Sequence, residues 1–227
     1  MNQNKKTRFT LFGSWRSTCT HRVVLALNYY NLDFRYVPVD LAAREQETAA
    51  FREIAPAAQV PVLECDEEYL SQSLAIIFFL DAFKSKGQRS LFVKDPRKNA
   101  RAMAITERIS TFTQPMMLPG GVRRRLKNFM ALDDTKFDQA LSKFAMENLE
   151  DNLAELNQKV KEYPGRLALG EQPSIADIFI FPQLVGANRL GIELFKYPAL
   201  QAQFEAMRDL EWAAASDPLD MPDAPQL

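Results

Sequence analysis

The sequence predicts two unlike halves, an α/β domain followed by an all-α bundle. Two observations carry that prediction. Short runs of alternating apolar residues occur only before residue 72, and from the turn Asp95-Pro96 onward every apolar pattern has helical spacing.

Arg8 to Phe12, with Phe9, Leu11 and Phe12 among polar residues, reads as a first strand that ends at Gly13. Val23, Val24, Leu27 and Tyr30 then follow helical spacing, and Asn31 suits the left-handed position that closes a helix. Phe34, Tyr36 and Val39 alternate as a second strand, completing a βαβ unit whose crossover should be right-handed. Leu41 to Ile54 reads as a polar helix or helix-like connection. Gln59-Val60-Pro61-Val62-Leu63-Glu64 starts a third strand at a proline, a position where the missing backbone donor is tolerated. The turn Asp66-Glu67 returns the chain through Tyr69-Leu70, so these two runs should pair as an antiparallel hairpin. Ser73 is expected to cap the apolar run Leu74 to Leu80. The resulting order, βαβαββα, is the thioredoxin-like arrangement.

Lys84 to Asp95 is polar, contains Gly87 and ends at a helix-starting proline, which places a domain boundary there. The expected division is 1–86 and 95–227. Helices are predicted over 96–113, 135–163, 174–190 and 198–214. In the second of these, Phe137, Leu141, Phe144, Leu149, Leu153, Leu156 and Val160 form the expected core face. Ser174-Ile175-Ala176-Asp177 has the form of an acidic capping box. The tail, Asp217 to Leu227, carries three prolines and is expected to wrap the surface without regular structure.

Composition excludes several function classes. Hydrophobic residues make up 47% and charged residues 25% of the 227, ordinary values for a soluble globular chain. A net charge of −1 provides no global attraction to nucleic acid or anionic lipid, so neither partner is expected. Two cysteines, Cys19 and Cys65, and one histidine are too few for the usual zinc ligand sets, so no metal is expected. No apolar run approaches the ~18 residues of a membrane span, and no apolar leader follows the first lysines. The expected location is cytoplasmic, with both thiols reduced.

The chemistry gathers at Ser14-Trp15-Arg16-Ser17-Thr18-Cys19-Thr20-His21-Arg22, between the first strand and the first helix. A hydroxyl or thiol there lies beside unpaired N–H groups and the positive end of the helix dipole, which together favour an anion or thiolate. Ser17 also reads as a plain N-cap. Cys19 reads equally as a low-pKa thiol or as a small buried hydrophobe. His21, four residues after Ser17, reads as a packing residue before it reads as a general base.

A thioredoxin-like half followed by an all-helical half, with Val60-Pro61 before one strand and Gln72-Ser73 opening the next helix, resembles the cytosolic glutathione transferases. Within them, Ser17-Thr18-Cys19-Thr20-His21-Arg22-Val23 resembles the signature of the zeta class, the class that includes maleylacetoacetate isomerase. The likeness runs nearly end to end, through Gln59-Val60-Pro61, Gln72 to Ile77, Gln114-Pro115, Pro182-Gln183, Arg189, Tyr197-Pro198 and Pro222-Asp223-Ala224-Pro225.

The resemblance implies glutathione as cofactor. It assigns catalysis to Ser17, Thr18 and Cys19, with Ser17 donating its hydroxyl to the glutathione sulfur. Glutathione binding falls to Gln59, Val60, Pro61, Gln72, Ser73 and Gln114, with Gln72 and Ser73 at the γ-glutamyl carboxylate and Val60 pairing by its backbone. Arg16 and Arg189 become the cations for a diacid substrate, a role suited to the planar guanidinium. The run Arg123-Arg124-Arg125 with Lys127 reads as a solvated face. One departure stands out: Met116-Met117-Leu118-Pro119 follows Gln114-Pro115, where the zeta pattern has leucine, glutamine and asparagine.

The implied activity is cis–trans isomerisation of a maleyl diacid, maleylacetoacetate or maleylpyruvate, by thiolate addition, rotation and elimination. That places the chain in aromatic amino-acid catabolism, as a homodimer. Two alternatives stay open: conjugation or dehalogenation of small electrophiles such as α-halo acids and aromatic halides, and a glutathione-transferase-like scaffold without catalysis.

Overall fold

The computed structural model describes residues 8–116 and 134–225. They pack as two compact units, one formed by the chain up to Ser90 together with Arg208 onward, the other by Leu91–Met207.

In the first unit, β1 (Phe9–Gly13), β2 (Phe34–Pro38), β3 (Val62–Cys65) and β4 (Glu68–Ser71) form one sheet in the order β2-β1-β3-β4. β1 and β2 are parallel, while β1–β3 and β3–β4 are antiparallel. Three helices complete it: α1 (Thr18–Tyr29), α2 (Ala49–Ile54) and α3 (Ser73–Asp81). The observed order is the βαβαββα read from the sequence. The connection expected over 41–54 divides into a 3₁₀ turn, Glu45–Glu47, and α2. Asn31 has φ +52, the left-handed position expected of it.

Strand alternation sends Leu11 and Leu63 to one face and Phe12 and Val62 to the other. Val62 packs in a cluster with Val39, Phe51 and Ala55, to which α2 contributes Phe51. On α1, every residue from Thr20 to Leu27 is buried. A helix buried all round, with Thr20, His21 and Arg22 as polar members of the buried stretch, needs polar partners, and the site described below supplies them for Thr20 and Arg22.

The C-terminal segment departs from expectation. The helix anticipated over 198–214 is two helices, α7 (Pro198–Arg208) and α8 (Glu211–Ala214), with Leu210 extended between them at φ −84 and ψ 121. The break lets Trp212 meet Tyr29 of α1 edge to face, with ring centroids 5.1 Å apart. It also returns the tail to the first unit, which a division into 1–86 and 95–227 assigns to the second. The tail is not irregular throughout, because Pro218–Asp220 forms a 3₁₀ turn capped by Asp217.

Beyond Ser90 lie α4 (Pro96–Arg108), α5 (Asp134–Lys161), α6 (Ile175–Arg189) and α7. α6 is the core helix, buried from Ile175 through Leu184. The capping box at its start forms as read: Asp177 accepts from the backbone and hydroxyl of Ser174 at 3.0 and 2.8 Å, and from the Ala168 N–H at 2.8 Å. On α5, Phe137, Leu149, Leu153, Leu156 and Val160 are buried, but Phe144 is 45% exposed. The step of five from Phe144 to Leu149 turns ~140° around the helix, which carries Phe144 off the buried stripe.

Candidate functional site

β1 ends at Gly13 because the space there admits nothing larger. A Cβ on Gly13 would stand 2.3 Å from Thr20 Cγ2 and 3.2 Å from Tyr36 Cε2. Bare backbone at this point lets α1 close down on the strand that precedes it.

The turn that follows is held by short-range bonds. Ser14 N–H donates to Thr20 Oγ1 at 3.3 Å, and Ser17 N–H donates to the Ser14 carbonyl at 2.9 Å. Ser17 is the N-cap of α1, extended at φ −84 and ψ 114, and its Oγ accepts from Thr20 N–H at 3.1 Å. A hydroxyl oxygen that accepts in this way keeps its own hydrogen for another acceptor. The first turn of α1 carries no acid, so nothing within it offsets the positive helix terminus. Thr18 and Cys19, the first two helical residues, are half-buried, and Cys19 is a free thiol.

At α3 the structure corrects the expected cap. Gln72, not Ser73, holds the N-cap position, its side chain makes no capping bond, and Ser73 is the first helical residue. The Ser73 hydroxyl is therefore not spent on starting the helix. Its Oγ instead accepts from Arg22 Nη1 at 3.4 Å. Gln72 has φ +70 and ψ 112, a backbone conformation that costs a residue with a Cβ about 1–3 kcal/mol and that gathers at ligand clamps.

Arg22 is 1% exposed, and burial lowers its pKa below the ordinary arginine range, with the nearby Cys19 sulfur opposing that shift. An arginine stays cationic even so. One positive charge thus lies between α1 and the start of α3.

Val60 and Pro61 are joined by a cis peptide bond. Strand pairing of β3 begins at Val62, opposite Phe12 and Ser71, so Val60 lies outside the ladder. Pro61 is buried, Val60 half-buried and Gln59 exposed. Arg16 is exposed, its guanidinium 6.0 Å from the centre of the Trp15 ring. His21 is 4% exposed and lines a small cavity with Trp15 and Val24, closed by Ser216, Pro218 and Met221 of the tail.

In the second unit, Gln114 follows a π-helical segment, Ile109–Thr113, the kind of helix irregularity often found at functional sites. Gln114 is half-buried. Arg189 is exposed at the last residue of α6, where the helix dipole favours a cation. Met117 to Pro119, Arg123 to Arg125 and Lys127 lie outside the described residues. Among the described residues no helix is long and apolar enough to cross a membrane, and no group of three His, Cys, Asp or Glu could hold a metal ion.

Two further residues belong to this arrangement. Arg22 reads from the sequence only as part of a signature, although an arginine leading into Val23-Val24-Leu25-Ala26-Leu27 is a local sign of a buried cation. Asp223 of the tail accepts from the Trp15 N–H at 3.0 Å, a bond across 208 positions that no local pattern announces.

Comparison with known proteins identifies the family. Residues 7–82 match the family model for the glutathione S-transferase N-terminal domain. A probable maleylacetoacetate isomerase from Caenorhabditis elegans is 32% identical over 94% of this chain and 94% of its own length. Glutathione S-transferase Z1 from Arabidopsis thaliana is 31% identical over 99% of this chain and 98% of its own. Among solved structures, maleylacetoacetate isomerase from Methylobacterium extorquens AM1, with bound malonate and glutathione, is 29% identical with a TM-score of 0.87, over 96% of this chain and all of that one. With a relative this similar over nearly its whole length and the helix-start geometry described above, the chain belongs to the zeta-class glutathione transferase and maleylacetoacetate isomerase family.

Proposed function

We propose that this protein is a glutathione-dependent cis–trans isomerase of a maleyl-type diacid. The observation that carries the reading is the start of α1, where Ser17 Oγ is fixed by the Thr20 N–H and its hydrogen remains to be donated. Glutathione, when bound, supplies the nucleophilic thiol.

The residues present suit that cofactor. Ser17 holds the sulfur as thiolate, helped by a helix terminus without a neighbouring acid in its first turn. Ser73, with Arg22 donating into its oxygen, offers its hydrogen to a carboxylate, and Gln72 adds an amide beside it. Val60, outside the β3 ladder, offers backbone groups to an extended peptide, with Pro61 and Gln59 flanking it. Thr18 and Cys19 complete the catalytic turn. Gln114 joins the glutathione-binding set, and Arg16 and Arg189 take the substrate carboxylates.

The finer assignments belong to the same proposal: a cytoplasmic enzyme of aromatic amino-acid catabolism, acting as a homodimer. Phe78 on α3 and Tyr69 on β4 are 69% and 44% exposed, apolar surface of the kind that subunit contacts cover. A second reading, conjugation or dehalogenation of a more hydrophobic electrophile, draws on Met116-Met117-Leu118-Pro119, which replaces the polar residues of the zeta pattern.

The test follows the enol absorbance of maleylacetoacetate and of maleylpyruvate with and without glutathione, alongside a chloro acid and an aromatic halide. Isomerisation should require glutathione and fall by about 10²-fold in Ser17→Ala, as for loss of a hydrogen-bond donor to a reacting anion. Equal rates without glutathione, or with Ser17→Ala, rule the proposal out. Turnover of the halides alone selects the second reading.

A further inference from the structure

We infer that Asp223 is a positioning residue for Ser17, reaching from the C-terminal tail to hold the turn on which the serine stands. This rests on the reading of Ser17 given above. Asp223 Oδ2 accepts from the Trp15 N–H at 3.0 Å, two residues before Ser17. The other backbone bonds described for this turn are local or come from the end of β2: Ser14 to Thr20, Ser17 to Ser14, and Val39 N–H to the Gly13 carbonyl at 2.7 Å. They fix the two ends of the turn, and Asp223 grips its middle.

A tether works only if its far end is fixed, and this one is. Asn28 Nδ2 of α1 donates to Ser216 Oγ at 2.8 Å and to the Ala215 carbonyl at 3.1 Å. Ser216 Oγ donates to the Trp212 carbonyl at 2.7 Å, and Trp212 packs edge to face on Tyr29. Pro218 is buried, and Ala224 N–H closes a turn onto the Met221 carbonyl at 2.9 Å. Tyr36 of β2 lies close enough that its hydroxyl pKa is raised by burial and by the Asp223 carboxylate, but no hydrogen bond joins the two, so the bond to the Trp15 N–H is the one Asp223 makes to this turn.

The choice of aspartate has a physical reason. A carboxylate holds a peptide N–H more strongly than a neutral acceptor does. Displacing a catalytic group by ~1 Å can cost 10²-fold in rate, so a turn two residues from the serine repays firm anchoring.

The experiment compares the full-length wild type with Asp223→Ala and Asp223→Asn by three readouts. These are amide hydrogen exchange over residues 14–17 without ligand, the pH titration of thiolate absorbance of bound glutathione, and kcat and KM for isomerisation. In Asp223→Ala, exchange at Trp15 should speed by about tenfold or more. The bound thiol pKa should rise by about one unit, and kcat should fall by about 10- to 100-fold with KM for glutathione little changed. Asp223→Asn, whose amide oxygen still accepts, should keep most of the wild-type behaviour. A lower melting temperature in Asp223→Ala with unchanged Trp15 exchange and thiol pKa overturns the inference and leaves the tail as packing only. A fall in thiol pKa in both variants also overturns it, making Asp223 a remote charge. A wild type that holds no glutathione thiolate overturns the reading of Ser17 and with it any catalytic role for Asp223. Unchanged exchange at Trp15 overturns the tether alone.

Discussion

Arg22 Nη1 donates to Ser73 Oγ across 3.4 Å and so joins the second turn of α1 to the first residue of α3. Neither helix has an acid in its first turn. A buried guanidinium and two helix N-termini therefore add potentials of the same sign, which favour a bound anion over a bare site. Ser73→Ala should raise the KM for glutathione by about tenfold or more, the effect of losing a hydrogen bond to a charged group, while kcat stays near the wild-type value. Titration calorimetry with glutathione checks it. A loss confined to kcat would place Ser73 at the thiol rather than at a carboxylate.

Gln72, at φ +70, separates stability from binding. Gln72→Ala and Gln72→Gly both remove the side chain and should both weaken glutathione binding. The glycine variant should nonetheless be the more stable of the two by about 1 kcal/mol, because it escapes the strained backbone position. Urea unfolding of the pair decides this, and an alanine variant at least as stable as the glycine one would show that the position carries no strain.

Gly13 should tolerate no side chain. In Gly13→Ala the new methyl meets Thr20 Cγ2 at 2.3 Å, and the variant should lose about 1–3 kcal/mol. Adding Thr20→Ser removes that methyl but keeps the oxygen that accepts from Ser14 N–H, so the double variant should recover part of the loss. Denaturant midpoints of the four proteins in the cycle test the coupling.

Asp81 supplies a pH dependence with a definite sign. Its partial burial works to raise its pKa, but hydrogen bonds from Ser90 and Tyr30 and the Lys84 ammonium outweigh that, and the folded value lies below the ordinary one. Lys84 Nζ stands 2.9 Å from Oδ2, and Ser90 Oγ 2.6 Å from Oδ1. The unfolded chain therefore binds the proton more readily, so stability rises with pH across that window. Asp81 contributes fully above its unfolded pKa of about 4, and the contribution is lost as pH falls through the lower folded value. Unfolding midpoints measured from pH 6 to pH 3 should decline more steeply for the wild type than for Asp81→Asn. Parallel curves would contradict this.

Most of the first unit was legible because its signals are local. Alternation gave the strands, apolar spacing and Asn31 bounded α1, and Asp177 three residues after Ser174 announced the capping box of α6. Ser17 was legible as a cap for the same reason. Reading failed where distant groups decided the outcome. Ser73 looked like a cap and proved to be the first helical residue, with Gln72 taking the cap position in a conformation that propensity alone would disfavour. The helix expected through residue 214 broke at Leu210, where the Trp212–Tyr29 contact offsets the local preference for a continuous helix.

By itself the sequence determined which segments are strands and helices, where most of them start, and which turn carries the reactive hydroxyl, because caps, glycines and periodicity act within a few residues. Only the tertiary structure decided that Arg22 lies beneath Ser73 and that Asp223 holds the peptide of Trp15. Those bonds span 51 and 208 positions, and residues that far apart meet only after the core has formed and brought their elements together.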